Sequence, residues 1–137
     1  MFSVAREFSF SYGHRLYRYE GKCRRLHGHN ARVRVEILGD ENGAKLDDQG
    51  MAFDFARMKS TLGRWLEEEL DHRVFLSADD PLADLLDAAN DPPIRVDGAP
   101  TAETLAKLIF DRARADGLNV VRVDFWETEK CRATYRA

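Results

Sequence analysis

The chain has only two cysteines, Cys23 and Cys131, in 137 residues, too few for a disulfide framework. Long apolar runs are missing as well. Stretches such as Leu108, Ile109 and Phe110 stop after a few residues, whereas a bilayer-spanning helix needs about 20. The opening Met1-Phe-Ser-Val-Ala-Arg-Glu7 has neither the basic lead nor the apolar stretch of a secretory signal. No strong excess of one charge exists: the formal net charge is -3 and the pI is near 5.8, a poor match to a nucleic-acid surface. Proline is scarce, with all four residues between Pro81 and Pro100. These absences exclude membrane, disulfide-scaffold and disordered classes and predict a cytoplasmic protein without nucleic-acid partners. What is present is ordinary for a globular domain: 44 % hydrophobic and 33 % charged residues. The length predicts one domain, residues 1–137.

The small net charge hides an asymmetry. Residues 1–35 carry eight basic residues against Glu7 and Glu20, and the remainder is acidic. A basic segment within an acidic chain points to a local anionic ligand, and a solvated basic face would give the same count.

Periodicity supplies the elements. Phe2, Val4, Phe8 and Phe10 share one parity and predict a strand; Val33, Val35 and Ile37 alternate with Arg32, Arg34 and Glu36 in a second. Gly39-Asp-Glu-Asn-Gly43 has turn chemistry. From Asp54, a candidate cap, the apolar residues Phe55, Met58, Leu62, Trp65, Leu66 and Leu70 follow helical spacing. The acidic segment 77–100 contains a short helical stretch, Pro81–Ala89, and a short extended piece, Ile94–Val96. A second long helix starts at Thr101 and stops at Gly117, with Leu105, Leu108, Ile109 and Ala113 as its apolar stripe. Strands at 119–126 and 132–136 close the chain. The order ββααββ predicts an α+β fold, an antiparallel four-stranded sheet with two helices packed on one face. Its uncovered face and open edges predict a homo-oligomer that continues the sheet between subunits.

Four histidines carry the candidate chemistry. His27 and His29 flank Gly28, and in an extended segment residues two apart project from one face. With His14 at the end of the first strand they form a three-imidazole set suited to Zn2+ with an open coordination position. Cys23 precedes His27 by four residues among Lys22, Arg24 and Arg25. A cationic neighbourhood favours a thiolate that can act as base or nucleophile; the spacing equally suits a fourth zinc ligand. Asp71-His72 has the composition of a carboxylate-supported proton shuttle. Glu127, near the end of an apolar strand, can accept paired hydrogen bonds from a planar amidine-like edge such as that of guanine or a pterin, and a surface glutamate would read the same.

Taken in order, Phe8-Ser-Phe-Ser-Tyr-Gly-His14, Cys23-Arg-Arg-Leu-His-Gly-His-Asn30, Gly50-Met-Ala-Phe-Asp-Phe55, Leu70-Asp-His72, Pro100-Thr-Ala-Glu103 and Glu127-Thr128 resemble the 6-pyruvoyl-tetrahydropterin synthases and bacterial 6-carboxytetrahydropterin synthases. The spacing of Cys23 to His27-Gly-His29 is similar to the bacterial carboxy branch; the animal pyruvoyl enzymes place the cysteine further away. The resemblance implies a tunnelling fold assembled into a barrel, a hexamer being favoured, with sites between subunits. It implies zinc on His14, His27 and His29, Cys23 as base with Asp71 and His72 as relay, and Glu127 on the pterin edge with Thr101 and Glu103 lining that pocket. The implied reaction converts 7,8-dihydroneopterin triphosphate to 6-carboxy-5,6,7,8-tetrahydropterin, acetaldehyde and triphosphate, toward 7-deazaguanine compounds such as queuosine. A pyruvoyl-type or other side-chain lyase, or a non-catalytic pterin-binding oligomer, are the alternatives. The chain departs from the pattern at Tyr12-Gly13, where two small residues are usual. It departs also in the length of segment 77–99 and in the run 128–134.

Overall fold

The computed structural model describes all 137 residues. Strands β1 (Ser3–His14) and β2 (His27–Leu38) pair antiparallel along their whole length, from Ser3 opposite Leu38 to His14 opposite His27. Helix α1 spans residues 55–70 and leads directly into β3 (Arg73–Ser77). Helix α2 (Pro81–Ala88), β4 (Ile94–Val96), helix α3 (Ala102–Ala115), β5 (Val120–Thr128) and β6 (Cys131–Arg136) follow.

The sheet corrects the four-stranded antiparallel expectation. It has six strands in the order β4-β3-β1-β2-β5-β6, is mixed, and is accompanied by three helices. The expected strands β1, β2, β5 and β6 form its antiparallel part. The other edge of β1 is not free, because β3 pairs parallel to it at Tyr12–His14, and β4 pairs parallel to β3. Helix α2 supplies the crossover that a parallel β3–β4 pair requires. No helix is long and apolar enough to cross a membrane.

Alternation builds the core. Phe10, Tyr12, Val33, Val35, Ile37, Val123 and Phe125 are buried on one sheet face against Met58, Leu62, Leu66, Leu105, Ile109 and Ala113 of α1 and α3. Phe75 of β3 joins this cluster, while Leu76, of opposite parity, and Ala83 of α2 are buried outside it. Helix α2 therefore covers the other face of β3. Caps fall where the sequence placed them: the Asp54 side chain accepts from Ala56 N–H and the Thr101 side chain from Thr104 N–H. Gly117 ends α3 at φ 81°.

Helix α1 is not regular. Its most deeply buried residues, Met58, Leu62, Leu66 and Leu70, recur in four-residue steps, with Trp65 buried beside Leu66; the steps are wider than the α-helical repeat of about 3.6. The wide i→i+5 turns at Lys59–Gly63 and Leu66–Leu70 take up the difference and keep all four on the sheet. Phe55, expected in that stripe, is instead 51 % exposed, because it starts the helix beyond the sheet-facing row.

Candidate active site

The β1–β2 register assembles the histidines. His14 lies opposite His27, and Tyr12 opposite His29; cross-strand partners share a face, so all four rings stand on the helix-facing side. The three imidazoles lie with centroids 4.6, 5.2 and 5.0 Å apart. Between the two pairs, Gly13 faces Gly28, and a Cβ at Gly28 would stand 2.8 Å from the Tyr12 carbonyl oxygen. Glycine is required there for the strands to approach as they do.

Hydrogen bonding fixes which ring nitrogens are available. His14 Nδ1 lies 2.8 Å from the Pro100 carbonyl oxygen and His27 Nδ1 2.7 Å from that of Arg25. A carbonyl only accepts, so each Nδ1 carries the proton and each Nε2 of the neutral rings presents a lone pair. The Nε2 atoms of His14 and His27 nevertheless face each other at 3.1 Å, and His29 Nε2 is buried without any hydrogen-bond partner. Burial pushes His14 and His29 below the usual histidine range, which keeps both rings neutral near pH 7. One ligand atom from each histidine lies within 4.8 Å of the others. Three ring nitrogens converging, one of them orphaned, fit a bound cation, and a three-imidazole set suits Zn2+.

Glu127 reaches this cluster by alternation, two residues beyond Phe125 on the helix-facing side of β5. The β5–β6 register shifts between Trp126 and Thr128, leaving Glu127 as the bulged residue outside the regular ladder. Its Oε1 lies 3.3 Å from His14 Nε2 and 3.5 Å from His29 Nε2 and accepts the Tyr12 hydroxyl at 3.2 Å. Burial, and then the Glu127 charge, push the Tyr12 phenol far above its ordinary value, so it remains a donor.

Cys23 sits on a single 3-10 turn, Lys22–Arg24, tied down by Leu16 N–H donating to the Cys23 carbonyl at 2.8 Å. With His14, Thr101, Glu103, Glu127 and Cys131 it lines a cavity of about 250 Å³. The sequence candidates Thr101, Glu103 and Glu127 thus surround the same space as Cys23 and the His14 edge of the histidine cluster. Arg15 and Arg18 are committed to Asp80 and Asp79. Arg24 and Arg25 line an adjoining open cavity of about 650 Å³ with Arg15 and Tyr17.

Asp71 and His72 do form a dyad, Asp71 Oδ2 lying 2.8 Å from His72 Nδ1. The other carboxylate oxygen accepts Ser11 N–H at 2.8 Å, and His72 N–H donates to Ser11 O at 2.7 Å. These bonds hold His72 at φ 63°, an unusual conformation for a residue with a Cβ. The Ser11 hydrogen bond, then that of His72, holds the Asp71 carboxyl below the usual range. One chain does not bring this dyad to Cys23. Asp71 lines a different cavity, with Arg6, Phe8 and Ser9, and the His72 side chain is 80 % exposed. Ser11 is three residues from His14 along β1, about 10 Å.

Sequence reasoning missed Tyr12 as a member of the site and the carbonyls of Arg25 and Pro100 that orient two ligands. The signals were the large aromatic two residues before His14 and the proline beside Thr101. Cys131, to which the sequence gives no role, also lines the cavity.

The sequence model described as 6-pyruvoyl tetrahydropterin synthase matches residues 3–137. A 6-carboxy-5,6,7,8-tetrahydropterin synthase of Haemophilus influenzae is 35 % identical, covering 93 % of this chain and 94 % of its own. The Synechocystis protein of that name is also 35 % identical, over 90 % of this chain and 85 % of its own. Among solved structures, the 6-pyruvoyl tetrahydropterin synthase of Caenorhabditis elegans superposes with a TM-score of 0.70 at 25 % identity, covering 99 % of this chain and 95 % of that one. By its fold, its ordered motifs and this match along nearly its whole length, the chain belongs to the 6-pyruvoyl tetrahydropterin synthase family.

Proposed function

We propose that the protein is a zinc-dependent lyase that converts 7,8-dihydroneopterin triphosphate to 6-carboxy-5,6,7,8-tetrahydropterin, acetaldehyde and triphosphate. The observation that carries this reading is the cavity shared by Cys23, Glu127 and the His14 edge of the histidine cluster. Its support against a pyruvoyl product is the similarity, at 35 % identity, to proteins named as carboxy-type synthases.

His14, His27 and His29 would hold the ion. Bound there, zinc supplies Lewis acidity that polarises side-chain oxygens and acidifies the neighbouring C–H. Cys23, which lines the same cavity as His14, removes or returns a proton at the substrate side chain. Glu127, with Thr101 and Glu103 beside it, holds the amino-pyrimidine edge through paired hydrogen bonds. Arg24 and Arg25, on and beside the turn that carries Cys23, accommodate the triphosphate, whose charge suits guanidinium donors.

The Asp71–His72 dyad completes the relay from a neighbouring subunit. It is preformed, exposed and held at a costly φ, yet Asp71 lines a different cavity from its own chain's Cys23. A ring or barrel of copies joined through the sheet edges at β4 and β6, a hexamer being the favoured count, would bring the dyad of one subunit to the cavity of the next.

Incubation with 7,8-dihydroneopterin triphosphate tests the reading: acetaldehyde that disappears in Cys23→Ala is the expected result. A pyruvoyl product moves the protein to the other branch of the family. Tight pterin binding with no product identifies a non-catalytic binder.

A further inference from the structure

We infer that Tyr12 is a positioning residue for Glu127, holding its carboxylate against the histidine cluster and thereby setting how tightly the site retains its cation and its pterin ligand. The inference rests on the proposed function for the ligand's identity, but its geometry is independent of it.

Tyr12 is 3 % exposed, and its ring is fenced by five others. Phe10, His14, His29, Phe75 and Phe125 lie with centroids 5.9, 5.1, 5.6, 5.9 and 5.7 Å away. Such packing leaves the ring one orientation, so the hydroxyl is fixed in space as well. A buried phenol needs a partner for its hydroxyl, and the one it has is Glu127 Oε1. That same oxygen lies 3.3 and 3.5 Å from two of the three converging Nε2 atoms. Glu127 has no comparable restraint of its own. It sits at a bulge, where the ladder does not fix it, and its side chain is 27 % exposed. The hydroxyl therefore chooses among the carboxylate's rotamers the one facing the histidines. Any cation accepted by those nitrogens adjoins a negative oxygen held in place before the cation arrives. The Tyr12 main chain serves the site differently, through its close approach to Gly28, and a substitution confined to the hydroxyl leaves that contact unchanged.

A double-mutant cycle tests the inference with Tyr12→Phe, Glu127→Gln and the double variant, each first shown to melt like the parent when metal-free. The first readout is zinc retention in competition with a chelator, and the second is binding of neopterin followed by its fluorescence. Glu127→Gln is expected to weaken zinc retention by tenfold or more. Tyr12→Phe is expected to weaken it about tenfold in the parent, as loss of a hydrogen bond to a charged group would, and to change nothing in the Glu127→Gln background. An unchanged Tyr12→Phe, or an equal loss in both backgrounds, overturns the inference, since a ring that merely fills space acts independently of Glu127. Failure of the parent to bind neopterin counts against the proposed reaction alone, and the zinc cycle then decides the role of Tyr12.

Discussion

A methyl group at Gly28 would press on the main chain of β1, 2.8 Å from the Tyr12 carbonyl oxygen. The strands would have to separate at the register that brings His27 and His29 to His14. Gly28→Ala is therefore expected to cost about 1–3 kcal/mol and to lose zinc retention with it. Gly98→Ala has nothing within 4 Å of the added atom and strains only its own φ of 74°, so it should keep the metal; chelator competition and thermal melting separate the two. At this scale the sequence was highly legible. His-Gly-His at alternate positions and His14 at a strand end declare their common face, because strand geometry converts a two-residue spacing directly into direction. Tyr12 was not legible as a site residue. Its role depends on a contact with Glu127, which lies 115 residues away in the chain, and no short window of sequence shows which strands bring the two together.

Elements were legible in proportion to how local their causes are. The caps at Asp54 and Thr101 and the stop at Gly117 are local chemistry and fell where the sequence put them. Strand β3 follows α1 with no glycine or proline to separate them, and its parallel partner β1 lies about 60 residues earlier; neither fact is visible in a short window. Helix α1 was recognised by its apolar spacing, but its wide turns follow from the four-residue recurrence of Met58, Leu62, Leu66 and Leu70. Leu62 is 1 % exposed, so Leu62→Ala should destabilise by about 2–5 kcal/mol through lost burial and a residual cavity. Chemical denaturation measures the loss, and a change below about 1 kcal/mol would show that α1 does not pack on the sheet as described.

The molecule as a whole has two ionic regimes. On β5 the sheet face turned away from α1 and α3 holds Asp124, its side chain 1 % exposed beneath Arg34, Arg122 and Arg132. Burial pushes that carboxyl up, but hydrogen bonds from Thr134 and Arg122 and the guanidinium charges outweigh it and leave it below its ordinary value. A carboxyl lowered on folding stabilises the protein above its unfolded value, near 4, and that stability is lost as pH falls further. His14 and His29 are also lowered, so the unfolded chain binds their protons first. Metal-free protein should thus lose stability in a first stage as pH drops below about 6.5 and in a second below about 4. Thermal melting across that range, repeated with His29→Gln to remove part of the first stage, checks the assignment. The basic N-terminal segment and the open sheet edges belong to this scale too. If Cys23 and the Asp71–His72 dyad meet only between subunits, inactive Cys23→Ala and His72→Ala chains dissociated and reassembled together should recover about a quarter of parental activity. Recovery of none would place the whole site within one chain.

The most direct test of the central claim, a three-histidine metal centre working with Cys23 on a pterin side chain, is acetaldehyde formation from 7,8-dihydroneopterin triphosphate by metal-stripped protein as zinc is added back. The account predicts no product without metal, a plateau near one zinc per chain set by His14, His27 and His29, and no product at any zinc level in Cys23→Ala. Acetaldehyde from the stripped protein, or none from the zinc-loaded parent, would contradict it.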